Sequence, residues 1–291
     1  MLLLQILADG FVTGCAVGVV AITFAYVYST TGVFHVAHAG VYTFGAYVAW
    51  YLLQQGLPFL PAAAISILSC AAVGALIQKY VYETLARRHA SPLVMLIAAL
   101  GLLAVLQNIV AMAFSPNILQ FDLPWRLEMA MVGTVFLSYP QIAVVVTSLL
   151  ILAGLMWFSS STLLGQRIRA VASNPSLAEV TRLRPNRVFV IVLAIASGLV
   201  AVPAILTGVD QAIQPYTSIL VLLSAVIAVI AGGIGSLIGA FVLAIVISMV
   251  LNVSILYLPG RWSLAFTYTI FIAFILIKPT GLFRTRVQRA S

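Results

Sequence analysis

The chain has 291 residues, 63% of them hydrophobic and only 7% charged, with a formal net charge of +8. Soluble domains carry about a quarter charged residues, so this composition excludes an ordinary soluble protein and indicates an all-α polytopic membrane protein. The excess of Lys and Arg is read as a topology signal and not as a nucleic-acid footprint.

Helices are the spanning elements, because runs such as Ala194-Ile195-Ala196 and Ile245-Val246-Ile247 break the two-residue alternation of a barrel. Polar breaks and Pro/Gly punctuation predict about nine transmembrane helices (8–10), each about 20 residues long. They fall near residues 5–28, 36–54, 58–80, 92–114, 138–158, 188–208, 216–232, 235–254 and 258–277. The opening Met1-Leu2-Leu3-Leu4-Gln5 lacks a basic n-region and a small-residue cleavage site, so it is expected to begin a retained span and not a signal peptide. Cys15 and Cys70 both sit inside spans, where neither a structural disulfide nor a reactive thiol is expected. The segment 115–139, with Pro116, Pro124 and Trp125, is predicted to be an external loop with a short interfacial helix, either a partner contact or a simple connector. Within 216–254, Gly232-Gly233-Ile234-Gly235-Ser236 is either a tight turn between two spans or a break within one. No long internal repeat is visible, and residues 1–291 read as a single transmembrane domain.

Charge placement predicts the orientation. Lys79, Arg87 and Arg88 share one loop; Arg167, Arg169, Arg182, Arg184 and Arg187 a second; Lys278, Arg284, Arg286 and Arg289 the tail 278–291. Nine spans put these twelve on one face, which is therefore cytoplasmic, and leave only Arg126 and Arg261 outside. The N-terminus is then outside and the C-terminus cytoplasmic. Asp9, Asp122, Glu128 and Asp210 also fall outside, and Trp50, Tyr51, Tyr80, Tyr82, Trp157, Tyr257 and Trp262 lie near span ends at headgroup depth.

The spans are nearly free of charge. Gly10 to Gln78, Val188 to Val209 and Gln211 to Gly260 contain no Asp, Glu, Lys or Arg. Ion-coupled transporters place such groups at membrane depth, whereas here only His35 and His38 lie near the end of a span. No paired carboxylates, nucleophile–base pair, metal-ligand set or GxxxxGK[ST] phosphate loop is laid out. No catalytic group, metal or cofactor is expected, so any uphill transport draws its energy from another subunit.

Residues 162 to 188, TLLGQRIRAVASNPSLAEVTRLRPNRV, form the one long polar passage, with five of the fourteen basic residues. Asn174-Pro175 is a helix start, Asn as N-cap and Pro at the first helical position. Leu177, Val180 and Thr181 recur at helical spacing, and Arg184-Pro185 ends the segment. The loop 159–187 therefore carries a short amphipathic cytoplasmic helix of about two turns. Physics alone leaves two roles open: a topology anchor, or a rigid lever that transmits motion from a soluble partner.

The passage resembles the cytoplasmic coupling loop of the permeases of the branched-chain amino acid ABC transporter family, "GxxxRAVAxNPxxA", on Gly165, Arg169, Ala170, Val171, Ala172, Asn174, Pro175 and Ala178. Ala37-His38-Ala39-Gly40 with Phe44-Gly45-Ala46-Tyr47 is similar to the family's "GHAxFxxxGAY". Gly232 to Ala240 is similar to "GGxGSxxGA", and Lys278-Pro279-Thr280-Gly281-Leu282-Phe283 to "RPxGLFG". Two departures stand out: Arg182-Leu183 replaces the Gly that ends the family's coupling helix, and His35 replaces a small polar residue.

The resemblance implies a permease subunit of an ATP-driven importer in the bacterial inner membrane, working by alternating access. Its partners would be a second, homologous permease, two cytoplasmic ATP-binding subunits, an extracytoplasmic solute-binding protein and membrane lipid. A coupling helix over 174–183 would relay motion through Gly165, Arg169, Ala170, Asn174, Pro175 and Ala178. His38, Gly40, Gly45 and Tyr47 either line the substrate path or pack helices together. Branched-chain amino acids are the implied solutes, with urea, short amides and aromatic acids as alternatives within the family. An ATP-independent facilitator is the rival outside it.

Overall fold

The computed structural model describes residues 2–278 and 281–283, without the side chain of Arg261. Arg284, Arg286 and Arg289 of the basic tail, Pro279 and Thr280 of its ending and the Arg261 side chain lie outside the described residues. In chain order the helices are α1 (Leu2–Thr31), α2 (His38–Gln54) and α3 (Phe59–Leu76), which runs through a π-wound segment, Ile77–Tyr82, into α4 (Glu83–Arg87). Then come α5 (Pro92–Phe114), the strands β1 (Met129–Val132) and β2 (Val135–Ser138), α6 (Tyr139–Ser161), α7 (Leu163–Ser173) and α8 (Pro175–Val180). The chain closes with α9 (Pro185–Asp210), α10 (Ser218–Gly232), α11 (Leu237–Ser254) and α12 (Gly260–Ile277).

Local sequence sets several starts. Ser91 accepts from the Val94 amide ahead of Pro92, and Ser236 accepts from the Gly239 amide at 3.0 Å. Ser138 and Gln141 satisfy each other's orphan amides at the head of α6. Each such cap stabilises its helix by about 1 kcal/mol. Among the described residues, six helices are long and apolar enough to cross a membrane: α1, α3 through α4, α5, α6, α9 and α11.

α1 is the axis of the bundle. It is 89% buried over its apolar window, against 22% for α5 and 17% for α6, so α1 is enclosed by protein while α5 and α6 show apolar surface outward. Its principal partner is α11, with α9, α10 and α6 completing the surround. Gly10, Gly14 and Gly18 recur every fourth residue on one face, and each lies against α11 at Met249, Ile245 and Phe241 respectively. Without a hydrophobic force between helices in lipid, such close backbone contact is what dispersion can use.

The bundle has two chemically distinct ends. Gln5 and Asp9 of α1 meet Phe136, Ser138 and Asp210 at one end, whereas Thr30 lies with Arg169 and Gly235 at the other. At that second end Asn186 donates to Glu83 at 3.2 Å, which brings the 79–88 and 162–188 basic groups onto the same face. The acidic end thus carries Asp9, Arg126 and Asp210, and the basic end both described basic loops.

One sequence expectation changes and one open alternative is resolved. The loop 115–139 holds no interfacial helix beyond the three-residue 3₁₀ turn Pro124–Arg126; it forms an antiparallel hairpin pairing Met129 with Ser138 and Val132 with Val135. Gly133, at φ +65°, makes the two-residue turn, and the Val, Met and Phe side chains around it favour strand over helix. The 232–236 stretch is a tight turn between two helices, with Gly233 at φ +103° and Gly235 at φ +99°. The tail docks onto it, the Leu282 amide donating to Ala231 at 3.0 Å and the Phe283 amide to Gly232 at 3.1 Å.

Candidate functional site

At the acidic end a cleft of about 270 Å³ opens between α2, α9, the start of α10 and the connection 211–217. Tyr42, Thr43, Tyr47, Thr207, Gln211 and Ser218 supply its polar wall, and none of its lining residues is ionisable as Asp, Glu, Lys or Arg. Pro203 within α9 lacks the amide that would continue the helical ladder, and the Thr207 hydroxyl donates to the Pro203 carbonyl. Tyr42 Oη lies 2.6 Å from Thr207 Oγ1, tying α2 to α9. Thr43 Oγ1 lies 2.6 Å from Ser218 Oγ, which also accepts from Gln107 Nε2 at 3.2 Å, joining α2 and α5 to α10. A bridge between Leu119 and Ile213, with N–H to carbonyl distances of 3.1 and 2.9 Å, straps the 115–139 loop across the cleft. Hydroxyls, amides and aromatic edges of this kind hold a small neutral or zwitterionic solute by dipoles, without fixed charge.

Of the four residues singled out for a substrate path, Tyr47 lines this cleft, its ring tilted against Phe114 at 5.4 Å. The other three lie in helix contacts. His38 Nε2 is 2.9 Å from Thr23 Oγ1 of α1. Gly40 faces Leu106 and Leu103 of α5, and Gly45 faces Cys70 of α3 and Ala201 of α9, its carbonyl accepting from Ser66 Oγ at 2.6 Å. Tyr42, Thr43, Thr207 and Ser218 went unremarked in the sequence. Their signal was there, as hydroxyls and one proline interrupting otherwise apolar spans.

At the basic end the loop 159–187 holds two helices where one was expected. Thr162 caps α7 by accepting from the Gly165 amide at 3.0 Å. Gly165 is pressed against the Phe158 and Ser159 carbonyls, so only glycine fits. Arg169 reaches back to the Ser160 carbonyl at 3.4 Å, and the Ala170 carbonyl takes the Asn174 amide at 3.2 Å. Asn174 therefore closes α7 and opens α8, its Oδ1 accepting from the Leu177 amide at 3.0 Å with Pro175 following.

α8 stops at Val180, three residues short of the expected 183. The Leu183 amide donates to Ala178 at 3.1 Å and the Arg182 amide to Glu179 at 3.0 Å, a paired C-terminal closure with Arg182 at φ +63°. The left-handed residue stands where the resembled family has glycine. Ala178 is buried, whereas Leu163, Leu177 and Val180 are 74%, 62% and 80% exposed. An apolar, arginine-framed surface thus projects from the basic end.

A bundle of apolar helices around an enclosed central helix, with a polar uncharged cleft at one end and a projecting capped helix at the other, is a polytopic helical membrane protein of permease type. The particular family follows from the sequence match. Residues 6–275 match the family described as the permease component of branched-chain amino acid transport systems, and the chain belongs to that family.

The chain is 29% identical over 295 residues to the high-affinity branched-chain amino acid transport system permease protein BraD of Pseudomonas aeruginosa, covering 96% of this chain and 95% of that one. It is 25% identical to the corresponding LivH protein of Escherichia coli K12, covering 96% and 94%. With the probable branched-chain amino acid transport permease protein LivH of Methanocaldococcus jannaschii it shares 26% identity over 272 residues, covering 88% and 84%. Among solved structures, a chain of PsaBC from Streptococcus pneumoniae in complex with Fab shares the fold at a TM-score of 0.51 and 16% identity, over 93% of this chain and 91% of that one. The family is one of transport permeases and not of catalytic enzymes.

Proposed function

We propose that this chain is a membrane-spanning subunit of an ATP-driven importer of branched-chain amino acids in a bacterial inner membrane. In this reading α2, α10 and α12 cross together with the six longer helices, giving nine crossings with the N-terminus outside and the basic end in the cytoplasm. A homologous permease completes the path, two ATP-binding subunits dock on the basic end, and a solute-binding protein delivers to the acidic end. Solute enters through the cleft around Tyr42, Thr43, Tyr47 and Thr207.

The observation that carries this reading is α8. A facilitator needs no helix capped at both ends, seated by buried Ala178, with Leu177 and Val180 held outward. ATP binding and hydrolysis in the partner subunits would push on α8 and switch the bundle between outward- and inward-open forms. Gly165, Arg169, Ala170, Asn174, Pro175 and Ala178 would fix the angle at which α8 meets them. The uncharged cleft suits a zwitterion whose charged groups are met by dipoles, and it suits a small neutral amide equally.

The test is ATP hydrolysis by the reconstituted assembly, with each candidate solute and its binding protein. Hydrolysis stimulated by leucine, isoleucine or valine, and lost in Pro175→Ala/Ala178→Glu while the subunits stay together, supports the proposal. Stimulation by urea or a short amide alone replaces the substrate. Flux that continues without ATP and without co-purifying ATPase overturns the importer reading.

A further inference from the structure

The π-wound segment Ile77–Tyr82 joins the basic end to the centre of the bundle through three hydrogen bonds, one ring contact and one step along the chain. Its hallmark is the Glu83 amide, which donates to Gln78 five residues back instead of four. Such segments hold one residue more than the α ladder admits and recur at functional positions. The extra residue turns Tyr82 into the core, where it is 1% exposed and its hydroxyl lies 2.7 Å from His35 Nδ1. The His35 ring meets the edge of His38 at 5.6 Å, and His38 Nε2 lies 2.9 Å from Thr23 of the enclosed helix α1.

In the other direction Glu83, the residue after the π segment, accepts from Asn186 Nδ2 at 3.2 Å. Asn186 stands in the first turn of α9, directly after the closure that ends α8, with Pro185 buried beside it. The helix proposed to receive the push is therefore linked to Glu83, Tyr82, His35, His38 and Thr23, across α9, α4, the π segment, α2 and α1.

This set of contacts is incompletely satisfied. Among the described residues, His35 Nε2, His38 Nδ1 and the Gln78 side-chain carbonyl are buried without a partner. Buried polar atoms are normally paired, so an unpartnered Gln78 inside the π segment, and two unpartnered ring nitrogens on the histidines that Tyr82 touches, leave groups free to exchange partners when the segment moves.

We infer that the π segment is a conformational latch, with Tyr82 and His35 as positioning residues that hold it. The inference rests on the importer reading, since it assigns the route by which motion at α8 reaches the core. If the segment rewinds to α geometry, one residue passes out of the π turn and Tyr82 swings about 100° around the helix axis. That swing parts Tyr82 from His35 and moves Glu83 off Asn186, so a displacement of α9 at Asn186 and release of the buried histidines are one event. Transport then needs the latch to hold in one state and open in the other.

The experiment compares native protein with Tyr82→Phe, Asn186→Ala and the double variant, all in the assembled complex. Two readouts are taken: solute carried per ATP hydrolysed, and amide hydrogen exchange over 77–87 and 183–190. The latch requires solute-independent hydrolysis to rise several-fold and transport per ATP to fall several-fold in Tyr82→Phe. It also requires Asn186→Ala to speed exchange in 77–87, though that residue lies outside the segment, and the double variant to resemble the singles. An unchanged ratio with native-like stimulated hydrolysis overturns the latch and leaves the importer reading standing. Exchange in 77–87 unmoved by Asn186→Ala overturns it on the permease itself. Hydrolysis that no solute stimulates in native protein removes the importer reading and the relay with it.

Discussion

Gly14 of α1 lies directly on the backbone of Ile245 in α11, close enough that a Cβ at position 14 would overlap the Ile245 Cα. Gly10 and Gly18, one turn to either side, repeat the contact at Met249 and Phe241. The axis of the bundle is therefore seated by the absence of side chains. Replacing Gly14 with Leu should force α1 and α11 apart, at a cost of about 3 kcal/mol or more. The thermal midpoint of the detergent-purified protein should fall by roughly 5 °C or more. A Gly101→Leu control, where nothing lies within 4 Å, should leave it unchanged.

Arg182 ends α8 with φ +63°, a conformation that costs an L-residue with a side chain about 1 kcal/mol relative to glycine. Arg182→Gly should therefore slow hydrogen exchange of the Ala178–Leu183 closure by about five-fold. Arg182→Val, β-branched in the same conformation, should speed it.

Asn174 caps α8 through the Leu177 amide at 3.0 Å. Asn174→Ala should remove about 1 kcal/mol from this short helix, and Asn174→Asp should restore it. The expected reading is faster exchange over 175–180 and reduced solute-stimulated hydrolysis in the Ala variant, with membrane insertion and subunit content as in the native protein.

Tyr42 and Thr207 share a hydroxyl pair 2.6 Å apart on the wall of the cleft at the acidic end. Hydrogen bonds between membrane helices average about 0.6 kcal/mol, so Tyr42→Phe and Thr207→Val should each lower the thermal midpoint only slightly. If solute passes here, the concentration for half-maximal transport should rise several-fold in both, with little change at Tyr51→Phe, outside the lining.

Much of the architecture was legible from hydropathy. The predicted spans fall on helices because runs of about 20 apolar residues between polar breaks have few other ways to satisfy their backbone in lipid. Asn174-Pro175 was readable as a helix start because a cap is a local bond between residues three apart. The hairpin in 115–139 was not legible, because strands of four residues carry little periodicity and their pairing across Gly133-Thr134 is set only when they meet. α7 was missed because five arginines in the passage obscured its apolar stripe of Gly165, Ile168 and Val171, all buried in the structure.

The cleft was less legible. Tyr47 was found through the motif around it, while Tyr42, Thr43, Thr207 and Ser218 come from three helices and meet only in the fold. His38 was noticed because histidine is rare in spans, yet its partner Thr23 lies fifteen residues back on α1.

Composition, periodicity and capping thus established the class of protein, the helices and the ends of several of them, because each depends on neighbours a few residues away. Tertiary structure alone decided which helix lies at the centre, that Tyr82 turns inward to His35, and which hydroxyls face the cleft. Those outcomes depend on close backbone approach and on bonds between distant parts of the chain, such as Asn186 with Glu83, and apolar helices of similar composition carry no local mark of which partner they will meet.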